Sequence, residues 1–282
     1  MSDQFRIGGD LPVHRLGFGA MRLPSSTGIG GEPRDPETGR RVLRRAVELG
    51  VDHIDTADFY RSGDGSVRAN VLIREALHPY PENLVIATKV GPVFGPEGFS
   101  SAEPDGLRAL VEANLDSLGV ERLDLVYLRV GHMEPPHGES IAARFEVLAE
   151  LREEGLIRHL GLSNTNSYHL AEANTIAPVA AVQNQYADGH RADAGVLTAC
   201  ERQDTAFVPF FPLHAGRSAN DTTLAKVAAR HSASPAEIGL AWLLASSPVT
   251  LAIPGTGSVT HLEQNMAAAR IKLTDEDLAD LA

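Results

Sequence analysis

Gly17-Phe18-Gly19-Ala20-Met21-Arg22 decides the fold, because it runs from the first stretch that reads as a parallel strand into the turn after it. An open, doubly wound sheet that binds a dinucleotide usually carries G-x-G-x-x-G in the turn after such a strand. Here Arg22 stands where the third glycine would be, and a long loop follows instead of a tight turn into a helix. Strands that alternate with helices without that turn are better served by a closed barrel.

Outward from that stretch, short apolar runs recur with amphipathic segments between them. Candidate parallel strands lie at 16–19, 53–55, 85–89, 123–128, 159–163, 181–185, 206–209 and 250–254. Helical spacing marks the faces Val42, Leu43, Ala46, Val47 and Leu49; Leu107, Leu110, Val111, Leu115 and Leu118; and Ile141, Phe145, Leu148 and Leu151. Pro235 sits where it opens a helix. Before the first strand, Phe5-Arg6-Ile7 and Val13-His14-Arg15-Leu16 flank Gly8-Gly9-Asp10, a hairpin pattern. The reading is α/β: a single (β/α)₈ barrel with an N-terminal β-hairpin, one domain over residues 1–282.

Bulk properties agree. The chain has 282 residues, 43% of them hydrophobic, enough for one large core. Lys plus Arg is 25 against 37 for Asp plus Glu, a net charge of −12, which argues against a nucleic-acid partner. The N-terminus lacks a signal-peptide pattern and no stretch suits a membrane span, so a cytoplasmic location is expected. Cys200, the only cysteine, reads as a small packed residue of a helix. His132 and His137 have no third partner at metal spacing, and no metal site is expected. Oligomeric state is not legible.

In a barrel the chemistry belongs at the C-terminal ends of the strands. The second strand ends in Asp55-Thr56-Ala57-Asp58-Phe59-Tyr60 and the third in Ala87-Thr88-Lys89. A buried Lys or Asp is costly alone, so Asp55 with Lys89 is the economical pairing. Tyr60 follows near enough to share their mouth. A cation beside a tyrosine favours its phenolate, so the Tyr60 pKa is expected to fall toward the working range of a general acid.

The ordered set Leu16-Gly17-Phe18-Gly19-Ala20-Met21, Asp55-Thr56-Ala57-x-x-Tyr60, Ala87-Thr88-Lys89-Val90, Gly161-Leu162-Ser163-Asn164, Val182-Gln183-Asn184-Gln185-Tyr186, Val208-Pro209-Phe210-Phe211-Pro212-Leu213 and Ile253-Pro254-Gly255-Thr256 resembles the successive signatures of the aldo-keto reductase family. The resemblance implies NADP(H) extended across the barrel top and reduction of a small-molecule carbonyl by hydride transfer. Tyr60 would be the proton donor, tuned by Lys89, which Asp55 holds. Ser163, Asn164 and Gln183 match positions that hold the nicotinamide carboxamide, and Phe210 the aromatic that stacks on its ring. Cofactor contacts are further implied at Gly19, Ala20, Met21, Asp55, Phe211, Pro212, Leu213, Gly255, Thr256, Gly257, His261, Gln264 and Asn265.

Two positions depart from the family pattern. Arg129 falls where a catalytic histidine ends the fourth strand, which suggests a bacterial-type branch. Gly255 and His261 fall where well-known branches place lysine and arginine for the adenosine 2′-phosphate. Two other readings stay open: an altered family member that reduces a conjugated C=C bond, and a regulatory subunit that only binds the cofactor. The substrate is not legible; its pocket would be lined by the loops at 91–106, 186–195 and 212–222, the first carrying Phe94 and Phe99.

Overall fold

The computed structural model describes residues 4–95, 98–131, 138–212 and 222–281. β1 (Gln4–Ile7) and β2 (Leu11–His14) pair antiparallel, with Ile7 opposite Leu11. Gly8 and Gly9 turn between them at φ of +61° and +84°, a region that side-chain-bearing residues avoid. The chain then alternates: β3 (Phe18–Gly19), α1 (Pro36–Glu48), β4 (His53–Asp55), α2 (Ala69–Leu77), β5 (Val85–Val90). A hairpin follows, β6 (Pro92–Gly95) with β7 (Gly98–Ser101), before α3 (Leu107–Leu118). The alternation resumes with β8 (Leu123–Arg129), α4 (Ala142–Glu153), β9 (Ile157–Ser163), α5 (Ser167–Ile176), β10 (Val179–Gln183), α6 (Ala194–Gln203) and β11 (Ala206–Phe207). Four helices complete the described chain: α7 (Thr222–His231), α8 (Pro235–Ser246), α9 (Val259–Ala267) and α10 (Asp275–Asp280).

Seven strands form one parallel sheet in the order β11-β10-β9-β8-β5-β4-β3. Its two edges meet through residues 250–252: Phe207 bridges Thr250 and Leu16 bridges Ala252, both parallel. The sheet is thus a closed (β/α)₈ barrel. The expected eighth strand at 250–254 makes these single bridges rather than a long ladder, and Pro254 has no N–H to extend one.

Strand alternation sorts the side chains into two cores. Phe18, Ile54, Val126, Leu128, Leu160 and Leu162 point outward and pack under the helices with Leu43, Ile73, Phe145, Leu148 and Leu243. Val85, Ala87, Leu125, Tyr127, Ala181, Val208 and Leu251 point inward. Ile7, Leu11 and Val13 of the first hairpin join this inner cluster, so the hairpin plugs one end of the barrel. The predicted helical faces are the buried ones: Val42, Leu43 and Ala46 in α1, and Phe145, Leu148 and Leu151 in α4.

Local signals fix the helix ends. In α8, Ser234 and Glu237 form a capping box with Pro235 in the first turn. Trp242 stacks on Tyr186 at 5.9 Å and carries Arg191 over its ring at 4.7 Å, a packing role. Cys200 is buried in α6, and burial pushes its thiol up to about 12. The segment 91–106, read as a loop, contains β6 and β7, whose cross-strand pair Phe94–Phe99 gives the hairpin an aromatic face. His132 and His137 lie outside the described residues.

Candidate active site

Inward alternation at the strand ends builds the site. Asp55 closes β4 and Lys89 lies near the end of the neighbouring β5, both almost wholly buried. The Lys89 Nζ donates to Asp55 Oδ1 at 2.5 Å and to the Thr56 carbonyl at 3.0 Å. Gln183, ending β10 across the barrel, donates its Nε2 to Asp55 Oδ2 at 2.7 Å. Both oxygens of Asp55 are therefore engaged. A buried ion pair is tolerated when its remaining hydrogen-bonding capacity is met, and here it is.

Tyr60 lies on the turn after β4, buried, with the Lys89 Nζ 4.9 Å from its ring centroid. Burial raises the Tyr60 phenol above its ordinary value, against the opposing pull of Lys89 and Arg129. This corrects the expected fall: the cation is present, but desolvating a phenolate costs more than the cation returns. Burial by itself would lower the Lys89 ammonium, yet Asp55 and Tyr60 hold it above its usual value. The site thus keeps a neutral phenol beside a charged ammonium.

Arg129 ends β8 with its register partner Ser163 on β9. Its guanidinium donates to Ser163 Oγ at 3.2 Å and lies 5.2 Å from the Phe210 ring. Burial lowers the Arg129 guanidinium, while Tyr60 and Asp55 oppose that shift. Phe210 meets Phe211 edge-on at 5.4 Å, and Phe211 adopts φ +53°. Asn164, at φ +59°, donates its Nδ2 to the Val130 carbonyl at 2.8 Å. Ser163, Asn164 and Gln183 are all buried at this mouth.

The remaining residues named from sequence continue around the rim. Gly19 pairs with Asp55 in register, and a Cβ on it would meet the Ile253 carbonyl at 2.6 Å and Gly255 Cα at 3.6 Å. Ala20 is buried and Met21 half-buried in the short turn that follows. Thr256 Oγ1 accepts from the Ser258 N–H at 3.1 Å, and Ser258 caps α9. His261 and Gln264 are exposed on α9, whereas Asn265 is buried. Pro212 ends a described segment, and Leu213 lies outside it.

Three contacts escaped the sequence. Tyr127 lies on the same inward face of β8 as Arg129, its ring centroid 6.0 Å from the Lys89 Nζ and its edge against Gly161. Phe59 meets Tyr60 edge-on at 5.2 Å and Phe94 at 5.7 Å, so the β6–β7 hairpin extends an aromatic wall from Tyr60. Inward alternation from Arg129 finds Tyr127 on this face, but not what its ring touches. No local signal links Phe59 to Phe94, which are distant in sequence. The third is Arg34, whose guanidinium rests on Gly257.

A closed barrel with buried charged and polar side chains gathered at its strand ends has the architecture of a (β/α)₈ enzyme. The chain belongs to the aldo/keto reductase family, whose model matches residues 15–282. It is 45% identical over 287 residues to pyridoxine 4-dehydrogenase of Escherichia coli, covering 99% of this chain and 97% of that protein. An uncharacterized oxidoreductase of Schizosaccharomyces pombe is 40% identical, covering 97% and 87%. Among solved structures, a thermostable aldo-keto reductase in complex with the inhibitor epalrestat superposes with TM-score 0.83 at 29% identity, covering 99% and 98%. The aldo-keto reductase of Klebsiella pneumoniae in complex with NADPH gives 0.81 at 24%, covering 100% and 94%, a likeness of fold. Among the described residues, no helix is long and apolar enough to cross a membrane.

Proposed function

We propose that this chain is an NADP(H)-dependent oxidoreductase that interconverts an aldehyde or ketone with its alcohol, with Tyr60 as the proton donor in reduction. The observation that carries this reading is the buried Lys89–Asp55 pair with its ammonium 4.9 Å from the Tyr60 ring. The residues fit the cofactor: Ser163, Asn164 and Gln183 cluster buried polar groups beside Lys89, and the rim runs from there through Gly19 and Gly255 to α9. The bound cofactor supplies the hydride.

In this reading Tyr60 hydrogen-bonds the carbonyl oxygen and releases its proton as negative charge grows there. Lys89 stabilises the phenolate left behind, and Asp55, held by Gln183, fixes Lys89 in place. Arg129 takes the place of the family's histidine. It stays charged, so it cannot relay a proton, but it donates hydrogen bonds toward the developing oxyanion. Ser163, Asn164 and Gln183 would hold the nicotinamide carboxamide and Phe210 would stack on its ring, with Phe211 and Pro212 as further cofactor contacts. Gly19, Ala20 and Met21 line its path, and Gly255, Thr256, Gly257, His261, Gln264 and Asn265 receive the adenosine end.

The Escherichia coli relative is named for oxidising pyridoxine, which supports an aromatic alcohol and its aldehyde as the substrate pair here. The apolar wall of Phe59 and Phe94, whose rings lie 5.7 Å apart and tilted by 39°, offers aromatic contact to such a ring. The test is NADPH oxidation with a panel that includes pyridoxal, other aldehydes, ketones and enones. Tyr60→Phe should lower carbonyl reduction by about 10² to 10⁴ while NADPH still binds. Unchanged turnover in that variant would remove Tyr60 from the mechanism, and turnover of enones alone would favour C=C reduction.

A further inference from the structure

We infer that Arg34 grips a phosphate at the adenosine end of NADP(H), supplying the fixed positive charge that Gly255 and His261 do not. The inference rests on the proposed cofactor and concerns a residue that no sequence motif marked. Arg34 ends the long loop between β3 and α1. A Cβ built on Gly257 would lie 2.8 Å from both its Cζ and its Nε, and 3.1 Å from its Nη1. Only a glycine at 257 lets the guanidinium lie against the backbone between Thr256 and the start of α9.

The side chain is held there. Its Nε donates to the Arg22 carbonyl at 3.2 Å, and its backbone N–H to the Pro24 carbonyl at 2.8 Å. Its charge is not spent on a carboxylate, since Arg34 forms no ion pair among the described residues. Asp35, next in the chain, uses its oxygens on the Glu37 and Thr38 N–H groups and the Thr38 hydroxyl, capping α1. Glu263, the acidic residue of α9, is taken by Arg45 of α1 at 2.8 Å. What remains beside Gly257 is a half-buried guanidinium with further N–H donors, a fork that suits phosphate oxygens.

The first turn of α9 adds to it. Ser258 and His261 use their N–H groups on Thr256 and Ser258, whereas those of Val259 and Thr260 have no partner among the described residues. Arg34 rests on Gly257, two and three residues before these donors in the chain. The arrangement recognises a phosphate, either the 2′-phosphate or the pyrophosphate of the dinucleotide.

Calorimetric titration with NADPH, NADH and 2′,5′-ADP tests this. Arg34→Gln keeps a donor toward the Arg22 carbonyl and removes the charge; its Kd for NADPH should rise by about 10- to 100-fold. Arg34→Lys should recover much of that loss, and Gly257→Ala, which displaces the guanidinium without removing it, should weaken NADPH as well. Loss confined to NADPH and 2′,5′-ADP places the grip on the 2′-phosphate; an equal loss for NADH places it on the pyrophosphate. Wild-type affinity in Arg34→Gln for all the ligands would overturn the inference. So would an Arg34→Lys variant as weak as Arg34→Gln with an equal fall in melting temperature, because the role would then be structural. A wild-type protein that binds none of the ligands would instead overturn the cofactor reading.

Discussion

At the scale of the residue, the identity of Lys89, Asp55 and Tyr60 was legible but their ionisation was not. Sequence places a cation near a phenol, and that argues for a lowered pKa. Burial is a tertiary property, and it raises the Tyr60 phenol in spite of Lys89 and Arg129. The sign has a consequence. A proton donor with a raised pKa stays protonated above the ordinary phenol value of about 10, so reduction should not lose its donor below that pH. The alkaline limb of the kcat/KM profile is expected beyond it. Lys89→Met removes the largest lowering influence, so any residual activity should lose its donor at still higher pH. Asp55→Asn should be milder, because it loosens Lys89 without removing it. The two losses should fall short of additive in the double variant. An alkaline limb near pH 8 in the wild type would contradict the assignment.

At the scale of the element, helix ends rest on contacts a few residues apart, whereas the ties between elements are tertiary. Thr274-x-x-Asp277 opens α10, and the structure completes the box: the Thr274 N–H and hydroxyl donate to Asp277 Oδ2 at 2.9 and 2.8 Å. The same carboxylate also meets His231 at 2.8 Å and Arg230, both on α7, tying the two helices together. The Thr274 N–H, and after it His231, hold the Asp277 carboxyl well below the usual carboxylate range. A depressed pKa contributes stability above the unfolded value of about 3.9 and loses it as pH falls toward the lower folded value. Melting curves should therefore show a gap between the wild type and Asp277→Asn that is full at neutral pH and shrinks in acid below that value. Thr274→Ala should cost about 1 kcal/mol, or about 2–4 °C. A gap that widened in acid would invert the argument.

At the scale of the whole molecule, the barrel interior is a packed column with the Lys89–Asp55 pair at its top. Gly161 lies in β9 beneath the mouth, where a Cβ would come 2.6 Å from Tyr127 Cδ1 and 2.9 Å from the Ala181 carbonyl. Tyr127 is fully buried with its ring near Lys89, so its position and that of the ammonium are linked. Gly161→Ala should cost about 1–3 kcal/mol through overpacking. It should also lower kcat without loss of the fold, because Tyr127 must shift under Lys89. Circular dichroism, melting temperature and turnover together check this; an unchanged Tm would mean the interior has room that the geometry denies.

The sequence by itself determined the alternation of strands and helices, the closed barrel, the N-terminal hairpin, and the strand ends that carry Asp55 and Lys89. These follow from local periodicity and from the rule that inward side chains recur every second residue. The tertiary structure alone decided what faces what: Gln183 on Asp55, Phe94 on Phe59, Arg34 on Gly257. Each of these pairs joins residues far apart in the chain, and no spacing along one strand or helix encodes a contact made by closing a circle of strands. Closure also sets burial, and burial turned the Tyr60 shift against the charge beside it.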